Sequence, residues 1–403
     1  MVGIAQAMEI GPNSQKRTIL ALNSGSSSLK LGLYSLQGTN EETLATGAVE
    51  ALGTKDATKD GRVWMQQGEK FLLKENRALA TSREAADFLT KTLTVHSLPQ
   101  PDIIGHRIVH GGPRLREHLR ITPEVLKDLE AATAFAPIHT PPALEVIRFA
   151  MERFPDSPNV ACLDTAFHRT LPEHAARLPL PDRFWQSGIR RYGFHGLSCE
   201  SIVHVLGPDL AGKTVIAHLG NGASITAVKQ GCSIETTMGL TPTGGVIMGT
   251  RSGDLDPGVL LHLLRDKAYD AQQLEHLLNH EAGLLGISGT TSEMRSLLES
   301  SATNASARLA VEMFCYSIRK AVGTMAAVLG GLELLVFSGG IGEHAAPVRT
   351  GICAGLDYLG IALDQEANAR HADVISTSGS RCRVRVIPSD EDLQIARHCS
   401  QLA

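Results

Sequence analysis

Residues 18–36 read TILALNSGSSSLKLGLYSL: an apolar run, a turn of small residues, then an alternating run. That pattern predicts a strand over 18–22, a turn, and a second strand over 29–36. The turn from Asn23 to Ser28 offers backbone N–H groups and hydroxyls together, as a phosphate cradle requires. A plain serine-rich hairpin would use the same letters. The arrangement returns at 213–231, KTVIAHLGNGASITAVKQG, where Asn221-Gly222-Ala223-Ser224 stands in the place of Ser24-Gly25-Ser26-Ser27. Two copies of one strand–turn–strand unit, nearly 200 residues apart, point to a duplicated α/β domain with a cleft between the halves.

The totals fit that architecture. A chain of 403 residues is long enough for two or three domains with buried cores. With 43% hydrophobic and 20% charged residues it belongs to the globular class, not the disordered one. A net charge of −4 gives no footprint for nucleic acid or an anionic membrane. The seven cysteines are odd in number and form no CxxC pair, the usage of reduced thiols in a cytoplasmic protein. No secretory leader and no apolar stretch of membrane-spanning length is expected.

A third glycine-rich segment, TTMGLTPTGGVIMGTRSGDLDPG at 236–258, carries a single arginine, Arg251. The following Asp256-Pro257 predicts a helix start, which makes the loop either an anion site or a turn with an ordinary ion-paired arginine. Arg107 lies in the apolar strand DIIGHRIVHGG between His106 and His110. On a strand those histidines do not converge as metal ligands, but a guanidinium there needs an anionic partner. Asp164 ends the apolar strand NVACLD, either as a site carboxylate or as a cap or loop ion pair. The segment SGGIGEH at 338–344 follows a strand and opens a helix, the recipe for a nucleotide site. Asp390, Glu391 and Asp392 open the last helix, where they complement its dipole or hold Mg²⁺. Residues 207–214, GPDLAGKT, fit the P-loop pattern by letter. Their order is helix then strand, the reverse of a working P-loop, so the match is read as chance.

Ten blocks in this order, among them LNSGSSSLK, GHRIVHGG, LDTAFH, RRYGFHG, AHLGNGASI, MGTRSGDLDPG, GISGTTSEMR, FSGGIGEH and PSDEDLQIA, resemble the acetate kinase family. The resemblance implies two ribonuclease-H-like, actin-like ATPase domains closing over a nucleotide. It places a loose extension at 1–16, one domain at 17–164 completed by helix 391–403, and the other at 165–390. The implied reaction is reversible Mg²⁺-dependent (or Mn²⁺-dependent) transfer of the ATP γ-phosphoryl to acetate or a similar short carboxylate, in a cytoplasmic homodimer. By the same resemblance Arg107, Arg251, His139, His195 and Asp164 are catalytic, and Val109, Ile138, Phe194 and Pro242 line the acyl pocket beside Arg107. Asn23, Ser26, Ser28 and Lys30 face the phosphates. His218, Asn221, Gly222, Glu293, Arg295, Gly340 and Ile341 hold the nucleotide, and Asn23 and Glu391 the metal. Cys199 and Glu293 depart from the family's usual histidine and aspartate. A non-enzymatic nucleotide switch of the actin or heat-shock type is the alternative from another class.

Overall fold

The computed structural model describes residues 15–25, 27–52, 61–265 and 269–402. The expected extension, but for residues 15 and 16, and Ser26 of the first turn lie outside the described residues. The chain divides into two compact units. The first runs to Leu163 and takes back Glu391–Ala403; the second is Asp164–Asp390.

The first unit is built on β1 (Arg17–Ser24), β2 (Ser28–Gln37), β3 (Asn40–Glu50), β4 (Arg62–Gln67), β5 (Lys70–Asn76), β6 (Ile103–Ile108), β7 (Leu119–Arg120) and β8 (Asn159–Leu163). They form one sheet in the order β5-β4-β3-β2-β1-β6-β8-β7. The strands β1 to β5 make an antiparallel meander, while β6 runs parallel to β1 and β8 parallel to β6. The strands β3 to β5 occupy a stretch whose pattern carries no clear strand signal. From Ile19 to Ser24, β1 is buried at every position, because both faces of the sheet are covered. Helices Ser82–Val95 and Thr140–Arg153 share a core with Leu20, Leu22, Leu31 and Ile104 on one face. Helix Glu391–Leu402 packs on β1, β2 and β6. Gly105, the neighbour of Ile104 on β6, points to the opposite face and permits this approach. A Cβ there would lie 2.4 Å from Cγ2 of Ile395 and 2.5 Å from Sγ of Cys399.

The second unit repeats the strand order on a smaller scale. It has β9 (Lys213–Leu219), β10 (Ala223–Lys229), β11 (Cys232–Thr236), β12 (Leu334–Ser338) and β13 (Arg383–Val386), arranged β11-β10-β9-β12-β13. Again an antiparallel meander is extended by strands parallel to its first member. The sequence β3-β2-β1-β6-β8 of the first sheet has the same pattern. Helix Ala305–Leu329 packs against β9 and β10. Asn304 caps its start by accepting from the N–H groups of Ser306 and Ala307, and Gly330 ends it at φ 68°. The P-loop look-alike is the turn Gly207–Asp209 running into β9, and Lys213 Nζ donates to the carbonyl of Gly330 at 2.8 Å. That ammonium is committed to a helix end.

His106 and His168 are among the histidines sealed in these cores. His106, on β6, bonds Asn159 Oδ1 through Nε2 at 2.7 Å. His168 is held between Ser233 Oγ and the carbonyl of Phe194, each at 2.9 Å. Burial pulls both pKa values down to about 4, so both are neutral in the folded protein.

Two outcomes follow from this packing. Gly105→Val lowers stability by roughly 1–3 kcal/mol through overpacking against the last helix, measured by urea unfolding, and Gly105→Ala does so less. Because the unfolded histidines titrate near 6.5 and the folded ones near 4, stability is present above pH 6.5 and falls as the pH drops towards 4. At pH 5 each histidine costs on the order of 2 kcal/mol. Urea midpoints between pH 7.5 and 5 fall steeply in the parent chain and less steeply in His106→Gln.

Candidate active site

In the first unit the C-terminal helix delivers its two leading acids to the end of β1. Asn23 Nδ2 donates to Glu391 Oε2 at 3.3 Å and to Asp392 Oδ1 at 2.9 Å. Its Oδ1 accepts from Arg107 Nη1 at 3.2 Å, and Arg107 Nε lies 3.9 Å from Glu391 Oε2. Arg107 and Glu391 keep 18% of their side-chain surface, so this is a half-buried charge cluster open at one side. Lys30 is the cross-strand partner of Asn23, and Ser28 closes the turn by accepting the Gly25 N–H at 2.8 Å. Two carboxylates in van der Waals reach of one amide are a donor set suited to Mg²⁺, which takes one or two carboxylates with water and phosphate oxygens. Val109 is buried; Ile138 and His139 stand just before helix Thr140–Arg153 and are half-buried.

The second unit gathers its groups around the turn between β9 and β10. His195 occupies a left-handed conformation, φ 58°, at the start of helix Gly196–Leu206. Its Nδ1 bonds Ser224 Oγ at 3.0 Å, and its ring stacks on His218 at 4.3 Å between centroids. His218 Nδ1 in turn bonds Ser198 Oγ at 2.8 Å. The two imidazoles are therefore oriented by hydroxyls from β10 and from the helix. Gly222 admits the polar groups to the turn: a Cβ there would sit 3.2 Å from His195 Nε2 and 3.6 Å from Arg251 Nη1. Arg251 Nη1 donates to the carbonyl of Pro242 at 3.2 Å.

The Arg251 loop is fastened at several points. Gly249 N–H donates to the carbonyl of Asn221, Ala282 N–H to that of Thr250, and Leu284 N–H to that of Met248, at 3.0, 3.1 and 2.9 Å. Gly283, at φ 60°, makes this close approach possible, since a Cβ would lie 2.2 Å from the Met248 carbonyl. Asp256 accepts the Gly258 N–H at 2.8 Å at the start of helix Pro257–Arg265. Asp164 directly follows β8, is 1% exposed, and its carbonyl accepts the Gly196 N–H at 2.8 Å. It therefore fixes the start of the helix that carries His195. Phe194, 1% exposed, gives its carbonyl to His168.

Beside that turn lies a cavity of about 590 Å³, lined by Gly220, Asn221, Glu293, Arg295, Gly340 and Ile341 together with Ser292, Met294, Leu298, Glu299, His344 and Ala345. Five of the residues assigned to nucleotide from sequence meet here: Asn221, Glu293, Arg295, Gly340 and Ile341. Asn221 on its wall is the chain neighbour of Gly222, the glycine that lies against His195 and Arg251. Arg295 is extended on the surface with Glu299 at 3.0 Å. Ser292, Met294, Leu298 and His344 are additional wall residues. The spacing of Met294 and Leu298, four apart on one helix, carries the only sequence signal for them, and it equally describes a core face.

The Acetokinase family model matches residues 18–397. An acetate kinase of Clostridium botulinum (strain Alaska E43) is 39% identical over 396 residues, covering 94% of this chain and 98% of that protein. The crystal structure of a propionate kinase from Francisella tularensis superposes with a TM-score of 0.88 at 35% identity, over 96% of this chain and all (100%) of that one. That of Porphyromonas gingivalis acetate kinase gives 0.84 at 35% identity, over 96% and 99%. With the family model spanning residues 18–397 and a relative 39% identical over nearly its full length, the chain belongs to the acetokinase family.

Proposed function

We propose that this protein is an acetate kinase. It moves the γ-phosphoryl of ATP to a carboxylate oxygen of acetate, giving acetyl phosphate and ADP, and runs the reverse reaction with the same groups. The new bond joins phosphorus to the carboxylate oxygen. The bond that breaks joins phosphorus to the β–γ bridging oxygen, whose electron pair leaves with ADP. The observation that carries this reading is that one turn of the second unit borders the 590 Å³ cavity at Gly220 and Asn221 and lies against His195 and Arg251 at Gly222. A nucleoside in the cavity directs its phosphates along a turn flanked by an arginine and an imidazole.

The residue roles are those the family resemblance implies, and the bonds described above support several of them. Arg251, whose Nη1 donates to the Pro242 carbonyl, acts on the transferring phosphoryl, whose negative charge is spread over equatorial oxygens. With Ser224 donating to Nδ1, His195 presents Nε2–H to the same oxygens. His218 stacks behind it as a support. Asp164 sets the helix start under His195. In the first unit Arg107, Asn23, Ser26, Ser28 and Lys30 act on substrate and phosphate oxygens. Glu391 and Asp392 supply carboxylate oxygens for Mg²⁺, with Asn23 orienting them; the ion neutralises phosphate charge when bound. His139 donates to the acyl phosphate, and Val109, Ile138, Phe194 and Pro242 size the acyl group. The recurring strand order supports a duplicated ribonuclease-H-like ancestry, with one domain at 17–164 completed by 391–403 and the other at 165–390.

We place the protein in the cytoplasm as a homodimer acting on small molecules. No helix among the described residues is long and apolar enough to cross a membrane, and all seven cysteines are free thiols. Leu261 and Leu264, three residues apart on helix Pro257–Arg265, are exposed on one face, which supports contact with a second copy. A propionate kinase is the second reading, favoured by the similarity to the Francisella tularensis enzyme.

Purified protein with ATP, Mg²⁺ and acetate should yield acyl phosphate trapped as hydroxamate; absence of product from nucleotide-binding protein would contradict the assignment. Arg251→Ala should lower kcat by about 10²–10⁴-fold with the KM for ATP changed only a few-fold, as for a group that acts mainly in the transition state. Since one methylene is worth roughly 1–3 kcal/mol, acetate should exceed propionate in kcat/KM by about tenfold or more, and the opposite order would make propionate the substrate.

A further inference from the structure

Arg349 is the largest side chain sealed in the second unit, with no exposed surface, and it lies outside the site described above. Every arm of its fork is occupied. Nε donates to Asn368 Oδ1 at 2.7 Å, and Nη1 to the carbonyls of Gly342 and Glu343 at 2.7 and 2.9 Å. Nη2 donates to the carbonyl of Asn368 at 2.7 Å and to His371 Nδ1 at 3.0 Å. None of these partners is a carboxylate, although a buried guanidinium ordinarily sits against one. Burial pulls its pKa from 12.5 to about 10, which still leaves a cation at neutral pH. A charge held only by carbonyls, an amide and an imidazole costs more than packing alone requires. Its position explains what it joins. Gly342 and Glu343 belong to helix Gly339–His344, the element that brings Gly340, Ile341 and His344 to the cavity wall.

The other end of the clasp is conformationally unusual. His371 follows helix Gln365–Ala369 at φ 54°, with Ala372 N–H donating to the carbonyl of Ala367 at 3.0 Å. That is the helix-ending position at which glycine, or asparagine, is the ordinary residue. Histidine is disfavoured there, and its ring does two things glycine cannot. Nδ1 accepts from Arg349, and the ring edge meets the face of His344 at 6.2 Å between centroids and 75° between planes. An observed backbone outlier of this kind marks a position whose side chain is needed.

We propose that Arg349, Asn368 and His371 are positioning residues for the nucleotide: a clasp remote from the chemistry that sets the pose of helix Gly339–His344 and thereby the affinity for the adenosine end of ATP and ADP. This rests on reading the 590 Å³ cavity as the nucleotide site. The clasp acts on binding of the nucleotide and leaves acetate binding and the transfer step unchanged.

His371→Gly tests this without threatening the fold, because glycine relieves the left-handed backbone while deleting the ring. His371→Asn is the conservative partner: asparagine tolerates the same conformation, and its Oδ1 stands where the imidazole Nδ1 was. In the full-length protein, calorimetric titration with ADP and steady-state kinetics are compared for the parent and both variants, with melting temperatures alongside. His371→Gly should weaken ADP binding and raise the KM for ATP about three- to tenfold, with the KM for acetate and kcat within about twofold and an undiminished melting temperature. His371→Asn should return ADP affinity to within about twofold of the parent. Unchanged ADP affinity in His371→Gly, in a parent that binds ADP, would overturn the clasp and leave the nucleotide site standing. A uniform loss of kcat with a lower melting temperature would show a merely structural role and overturn it too. A parent that binds no ADP would instead remove the nucleotide reading on which the clasp rests.

Discussion

The approach of the last helix to the first sheet depends on Gly105 having no side chain. With only a hydrogen at that position, Ile395 and Cys399 come down onto β6, and the helix start carries Glu391 and Asp392 to Asn23 and Arg107. The cluster joins residues more than 360 positions apart in the chain. A methyl group at position 105 would move the helix that carries the acids, so packing and electrostatics cannot be separated here. The second unit solves the same problem with its own close approaches. Gly283 lets the Arg251 loop lie against the following helix, and Gly222 leaves room for His195 and Arg251 at one turn.

These approaches share a physical purpose. A reaction that brings a carboxylate to a triphosphate needs donors whose direction is fixed in advance. Arg251 is steadied by the Pro242 carbonyl, and the imidazoles of His195 and His218 by the hydroxyls of Ser224 and Ser198. Bonds of this kind fix direction, so donors are preorganised for anionic oxygens at little reorganisation cost. Arg107 is treated differently, with a long 3.9 Å pair to Glu391 and a bond to the Asn23 amide. Its fork is oriented by a carboxylate that is itself suited to a divalent cation.

How much of this was legible in the sequence follows from the range of the interactions. Both hairpins, the start at Asp256-Pro257 and the end of the long helix at Gly330 are local devices, and turn chemistry marks them. The strands β3 to β5 are not marked. β5 reads KFLLKEN and is half-exposed along its length, so its pairing with β4 rather than its own pattern makes it a strand. Arg107, Glu391 and Arg251 were visible as charges in apolar or glycine-rich settings. Ser292, Met294, Leu298 and His344 were not, because a cavity wall is created by tertiary approach. Arg349 reads as an ordinary helical arginine until Asn368 and His371, about twenty residues on, are folded over it.

The defining step of the proposed reaction is transfer of phosphorus from ATP to a carboxylate oxygen of acetate. The most direct measurement is the ³¹P spectrum of the purified protein incubated with ATP, Mg²⁺ and acetate labelled with ¹⁸O at both oxygens. An acyl phosphate resonance displaced by a single ¹⁸O isotope shift is the expected result, because the carboxylate oxygen becomes the bridging atom. ADP accompanied only by unlabelled inorganic phosphate would contradict it.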